Sequence, residues 1–270
     1  MPEQKPAARA APQSGASVPS GPPERSASVA GMAVKTQDHT LTTADGPMRL
    51  YEATPDGPAK GAAIVVMEAF GVNDHIEDVT RRAAAAGYHA VSPDFFHRSG
   101  GGVAGYDEFP KVMEFFKSVT DDGILVDVDA TLDHLHKAGF TDDKIAIFGF
   151  CFGGRVTFLT AARRKLGAAI TYYGGGIVST GPLPFASLLG EAGSLKTPWM
   201  GHFGDLDKGI PVEDVENLRA AVDKAKVDHV IYRYADADHG FHCNDRAVFN
   251  KDAADLAWGR TQEWLTTHVG

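Results

Sequence analysis

Cysteine is nearly absent: only Cys151 and Cys243 occur in 270 residues. Two thiols exclude a disulfide framework, and so sparse a use suits a reducing compartment in which an important cysteine acts as a thiol, so a cytoplasmic location is expected. Positive charge is also short. With Lys+Arg 26 against Asp+Glu 35 the formal net charge is -9. No overall positive field attracts phosphate backbones or anionic lipid heads, so neither nucleic acid nor membrane is expected as a partner. Long apolar runs are missing, and no stretch approaches the roughly 20 residues of a transmembrane helix. What is present, 43% hydrophobic and 23% charged residues, describes a globular chain with a sizeable core.

Between Met1 and Ala30 there is no Leu, Ile, Phe, Tyr or Trp, while Pro2, Pro6, Pro12, Pro19, Pro22 and Pro23 crowd the segment. Such a stretch cannot bury enough apolar surface to offset its ordering entropy. It also lacks the apolar core of a secretory signal. Residues 1–31 are therefore expected to be a disordered tail, or sequence upstream of a start at Met32, and residues 32–270 the folded body.

From Met48 onward, apolar runs alternate with helical patterns. The strand-like runs are Met48 to Ala53, Gly61 to Glu68, Tyr88 to Ser92, Lys144 to Phe150, Ala168 to Tyr173, Trp199 to Phe203 and His229 to Tyr234. Helical patterns cover Asp74 to Ala86, the stretch holding Ile124, Val128, Leu132 and Leu135, the residues after Cys151, Val212 to Ala225, and a last segment from about Asn250. Gly87 and Gly139 close the first two. Gly100 to Gly102 mark a loop, and Gly174 to Thr197 reads as loop with a short helix. The alternation predicts an α/β fold: one domain, with an open, mostly parallel sheet and helices on both faces.

The most informative segment is Gly149-Phe150-Cys151-Phe152-Gly153, which joins a strand to a helix. G-x-C-x-G in that setting predicts a nucleophile elbow, a sharp turn that lifts Cys151 above the sheet, with glycines permitting the close approach. The helix N-terminus favours a thiolate there. Read instead as a packing turn, the segment would leave Cys151 an inert buried thiol; the strand-to-helix context favours the elbow. It is not a phosphate loop, because the Lys-Ser/Thr ending is absent.

An elbow calls for an acid and a histidine later in the chain, at the carboxyl ends of further strands. Trp199 to Phe203 leads into Gly204-Asp205-Leu206-Asp207, and His229 to Tyr234 leads into Asp236-Ala237-Asp238-His239. His239 is expected to take the thiol proton and Asp207 to orient the imidazole, with Asp205 the rival for that role. His239, His242 and Cys243 also offer metal-ligand chemistry. Adjacent His242 and Cys243 are awkward for joint coordination, however, and no paired ligand motif stands elsewhere, so neither metal nor cofactor is expected.

These residues resemble the dienelactone hydrolase family of α/β hydrolases, from about residue 36 to the C-terminus. Beyond Gly149 to Gly154, the similar segments are Met67-Glu68-Ala69-Phe70-Gly71-Val72-Asn73, Pro93-Asp94-Phe95-Phe96-His97-Arg98, Tyr172-Tyr173-Gly174 and Asp238-His239-Gly240-Phe241. The resemblance implies the α/β-hydrolase fold. It implies that Glu68 stands beside Cys151 and controls its ionisation, and that the backbone N–H groups of Ala69 and Phe152 form an oxyanion hole. It further implies that Arg98 binds a substrate carboxylate and that Tyr172 lines the pocket. A second carboxylate-binding arginine of the family falls where this chain has Cys243, and Arg246 is the candidate replacement.

The expected function is hydrolysis, without a cofactor, of an ester bond in a small lactone or ester by a monomer or small homo-oligomer. The alternatives are a carboxylesterase of another small ester and a non-catalytic binding protein on the same fold.

Overall fold

The computed structural model describes residues 33–180 and 185–270. The expectation for residues 1–31 lies outside these. The strands are β1 (Val34–Thr43), β2 (Gly46–Pro55), β3 (Ala62–Val66), β4 (His89–Pro93), β5 (Ile145–Phe150), β6 (Ala168–Tyr172), β7 (Trp199–Gly204) and β8 (His229–Tyr234). They form one sheet in the order β1-β2-β4-β3-β5-β6-β7-β8. β1–β2 and β2–β4 pair antiparallel, and every later neighbour pairs parallel.

The helices are α1 (Asp74–Ala85), α2 (Phe109–Phe116), α3 (Asp121–Lys137), α4 (Phe152–Arg163), α5 (Val212–Val222) and α6 (Lys251–His268). Asn73, Thr120 and Asn250 cap α1, α3 and α6 by accepting from the N–H of Ile76, Gly123 and Ala253, which satisfies otherwise orphaned first-turn donors. Successive residues of β6 point to opposite faces of the sheet. Thr171 donates to Gly154 O of α4, whereas the Tyr172 hydroxyl meets Thr261 Oγ1 of α6 at 2.6 Å. Helices therefore cover both faces, as expected of the α/β class. β3, β5 and β6, buried along their whole length, form the centre of the core.

Two elements escape the sequence reading. β1 is polar and mostly exposed, with Leu41 its only large apolar residue besides Val34, because an edge strand needs no apolar face to pair. α2 has 8 residues, too few for a helical period to stand out. Gly174 to Thr197 carries a short 3-10 helix, Leu189–Ser194, as expected.

Candidate active site

β5 passes into α4 through Cys151, whose backbone stands at φ 54 and ψ -114. A non-glycine residue keeps this conformation only when its surroundings over-determine it. Glycines do so here. A Cβ on Gly153 would overlap the Val66 carbonyl oxygen and stand 2.7 Å from that of Met67, and one on Gly149 would stand 2.8 Å from Val66 Cβ. Larger residues would push α4 off β3 and β5. The elbow expected from G-x-C-x-G is present.

The loops that follow β7 and β8 carry the other two expected residues. Asp207 is buried, its Oδ1 accepting from the N–H of Gly209 (2.8 Å) and Ile210 (3.2 Å), while its Oδ2 lies 2.7 Å from His239 Nδ1. The loop amides hold the carboxylate, and the carboxylate holds the ring. Asp205, the rival, instead forks with the Arg233 guanidinium at 2.7 and 2.8 Å. The His239 side chain is 28% exposed. Burial alone would lower its pKa, but charge on Cys151, then hydrogen bonds to Asp207 and Cys151, outweigh burial and raise the pKa well above its ordinary value. Cys151 on one side and Asp207 on the other thus favour an imidazolium.

Glu68 follows β3 and is fully buried. The Tyr173 hydroxyl donates to its Oε1 over 3.4 Å, and its Oε2 has no partner. A buried carboxylate with an uncompensated oxygen is unfavourable by itself and marks a group kept for a task. Tyr106 reaches in beside it, with its hydroxyl 3.2 Å from Cys243 Sγ and accepting from Asn73 Nδ2 at 3.3 Å. Burial, and then the Glu68 charge, push the Cys243 thiol up to about 11. Burial and Glu68 likewise raise Tyr173 well above the usual phenol value. Neutral S–H and O–H groups therefore surround Glu68. Ala69 N–H and Phe152 N–H donate to no other group among the described residues, the latter being a first-turn helix donor.

Two residues depart from expectation. Arg98 does not offer its guanidinium to a pocket: Asp127 takes Nη1 at 2.6 Å and Nη2 at 2.9 Å, Asp45 takes Nε at 2.8 Å, and Gly123 O takes Nη2 at 3.2 Å. Every face of the fork is committed, and the buried Asp127 requires it. Tyr172 points through the sheet to α6, so the neighbouring Tyr173 faces the site, with its ring centroid 5.1 Å from that of His239. Tyr173 has a positive φ of 36, a rotation past the strand end that pattern reading could not supply. Arg246, the candidate replacement anchor, stands beside the elements that carry Glu68 and His239. Its guanidinium sits 6.0 Å from the Phe70 ring centroid and 5.7 Å from that of Tyr106, packed against Gly240 beside His239, with no carboxylate partner among the described residues.

His239, His242 and Cys243 do not act together. His242 is buried against Phe150 and Tyr172, with ring centroids 5.0 and 5.1 Å away, while Cys243 meets Tyr106 and His239 meets Asp207. Tyr173, Tyr106 and Phe70 are site residues that the sequence reading missed.

A family model described as the dienelactone hydrolase family matches residues 48–269. This chain belongs to the dienelactone hydrolase family. A Yersinia pestis protein named "Putative carboxymethylenebutenolidase" is 34% identical over 245 residues, covering 85% of this chain and 87% of that protein. A Synechocystis protein of the same name is 34% identical over 212 residues, covering 76% and 85%. The crystal structure titled "Putative Dienelactone Hydrolase" from Klebsiella pneumoniae superposes with a TM-score of 0.79 at 32% identity, covering 87% of this chain and 99% of that one. The fold is thus the α/β-hydrolase fold, and this family member is a carboxylic ester hydrolase. No helix among its described residues is long and apolar enough to cross a membrane.

Proposed function

We propose that this dienelactone hydrolase family member opens a small enol-lactone bearing a carboxylate, through a thioacyl intermediate on Cys151. The observation that carries the reading is the 2.7 Å pairing of Asp207 with His239 beside the elbow cysteine. His239 takes the thiol proton, and the Cys151 sulfur attacks the lactone carbonyl. The amides of Phe152 and Ala69 hold the oxyanion of the tetrahedral intermediate. When that intermediate collapses, the ring C–O bond breaks and the enolate leaves, taking the proton that His239 received and returning the imidazole to its neutral form. An enolate is a good leaving group, so a thiolate suffices as nucleophile. Water, giving its proton to His239, then attacks the thioester, releasing the ring-opened acid and restoring Cys151.

Glu68 acts before the first step, as a buried charge beside the site that opposes thiolate formation until substrate neutralises or displaces it. Arg246 holds the substrate carboxylate. Its unpaired, half-buried guanidinium over Phe70 and Tyr106 supports that role and an anionic substrate. The two free thiols fit a cytoplasmic enzyme.

A dienelactone absorbance assay, run beside a neutral ester of similar size, tests this reading. Turnover is expected with both and lost in Cys151→Ala. In Arg246→Gln, KM should rise about 10- to 100-fold for the lactone only, the loss of one charge-assisted hydrogen-bonded contact. Wild-type turnover by Cys151→Ala would refute the nucleophile, and an equal KM change for the two substrates would refute the anchor.

A further inference from the structure

On the β1–β2–β4 side of the sheet, histidine side chains converge on one carboxylate. Glu52 Oε2 lies 2.8 Å from His134 Nε2 and 3.1 Å from His89 Nε2, and Glu52 Oε1 lies 3.4 Å from His39 Nε2. The register builds this row. Gln37 faces Glu52 across β1–β2 and Val91 faces it across β2–β4. His39 and His89 each stand two residues from those partners, so the pleat puts both on the face of Glu52. α3 then lays His134 over the row, with its ring centroid 5.1 Å from that of His39. Side-chain exposures are only 27% for His39, 13% for Glu52, 15% for His89 and 21% for His134.

A second observation separates this cluster from a network of ion pairs. Nε2 of His39 and Nε2 of His89 are buried and have no hydrogen-bond partner, although both face Glu52. Buried ring nitrogens without a hydrogen bond are unfavourable, and lone pairs turned to a common point suit a cation. A ligand atom from each of His39, Glu52 and His134 lies within 4.8 Å of the others. The hydrogen bond from His134 above all holds the Glu52 carboxyl below its usual range, so it is ionised as a ligand must be.

We propose that His39, Glu52 and His134 form a site for a divalent transition cation of the zinc type, which ties the β1–β2 hairpin to α3. Two imidazoles and a carboxylate suit such an ion, with water as the fourth ligand. Any protonated imidazole gives up its proton on binding.

The test titrates the full chain, stripped with a chelator, with Zn2+ alone by calorimetry and with Co2+ by visible absorption. One equivalent should bind, the Co2+ spectrum should be tetrahedral, and Tm should rise with Zn2+. Cys151→Ala should bind unchanged. His39→Gln should lower zinc affinity by roughly tenfold or more with an unaltered circular dichroism spectrum, and His134→Gln should do the same. His39 lies on the outer strand and makes the longest contact to Glu52, which keeps the test open should the α3 variant unfold. Substoichiometric binding by the parent chain, full affinity in His39→Gln, or binding lost in Cys151→Ala would overturn the proposal.

Discussion

Cys151 and His239 were legible in the sequence because their signals are local. A glycine two residues to either side of Cys151, and a histidine just past a strand, each report a backbone requirement that neighbouring residues meet. Arg98 was not legible, because the residue that decides its role is Asp127, on α3 and reached only through the fold. Tyr172 and Tyr173 differ by one position, and only the strand's register tells which of them faces α6. The two arginines separate experimentally. Arg98→Ala leaves the buried Asp127 with only the His97 ring as side-chain partner and should lower unfolding free energy by about 3 kcal/mol, while the KM for a carboxylate-bearing lactone stays within a factor of about two in the protein that folds. Urea unfolding and steady-state kinetics on one preparation check both; a large KM effect without loss of stability would return Arg98 to the site.

At the scale of elements, the strand–helix alternation was readable throughout the parallel part of the sheet, where buried strands are continuous apolar runs. It failed at β1, whose polar sequence pairs through its backbone, and at α2, which is too short to show a period. Packing at the β5–α4 junction is tight. Gly153→Ala, whose added methyl meets the Val66 and Met67 carbonyl oxygens, should destabilise the protein by at least ~2 kcal/mol, since backbone cannot yield as a side chain can. It should also lower kcat more than it raises KM, because the turn sets the position of Cys151 and of the Phe152 amide. Thermal unfolding and kinetics read the two effects, and a variant of parental Tm and kcat would contradict the elbow's dependence on that glycine.

Across the whole molecule, histidine burial sets the response to acid. Burial lowers the pKa of His75 and takes that of His242 well below its ordinary value; burial, then the Arg260 charge, take His202 to about 3. Unfolded, each protonates near ~6.5, so the unfolded state binds protons that the folded state refuses. Their contribution is complete above ~6.5 and is lost as pH falls toward about 3. His239, with its raised pKa, has the opposite sign: its contribution is complete below ~6.5 and is lost as pH rises through its folded value. His242→Phe keeps an aromatic ring in the stack with Phe150 and removes one titrating group. It should flatten the acid-side slope of unfolding free energy by up to about 1.4 kcal/mol per pH unit. Urea unfolding at a series of pH values measures this, and a slope equal to the parent's would refute it.

The central claim, ester cleavage through an acyl group on Cys151, is tested most directly by mass spectrometry of enzyme acid-quenched during turnover of a carboxylate-bearing lactone. The parent protein is predicted to carry one added acyl mass, located on the peptide containing Cys151, which decays as substrate is exhausted. Cys151→Ala is predicted to show neither adduct nor turnover. Turnover at the parental rate by Cys151→Ala, or an adduct on a residue other than Cys151, would contradict the account.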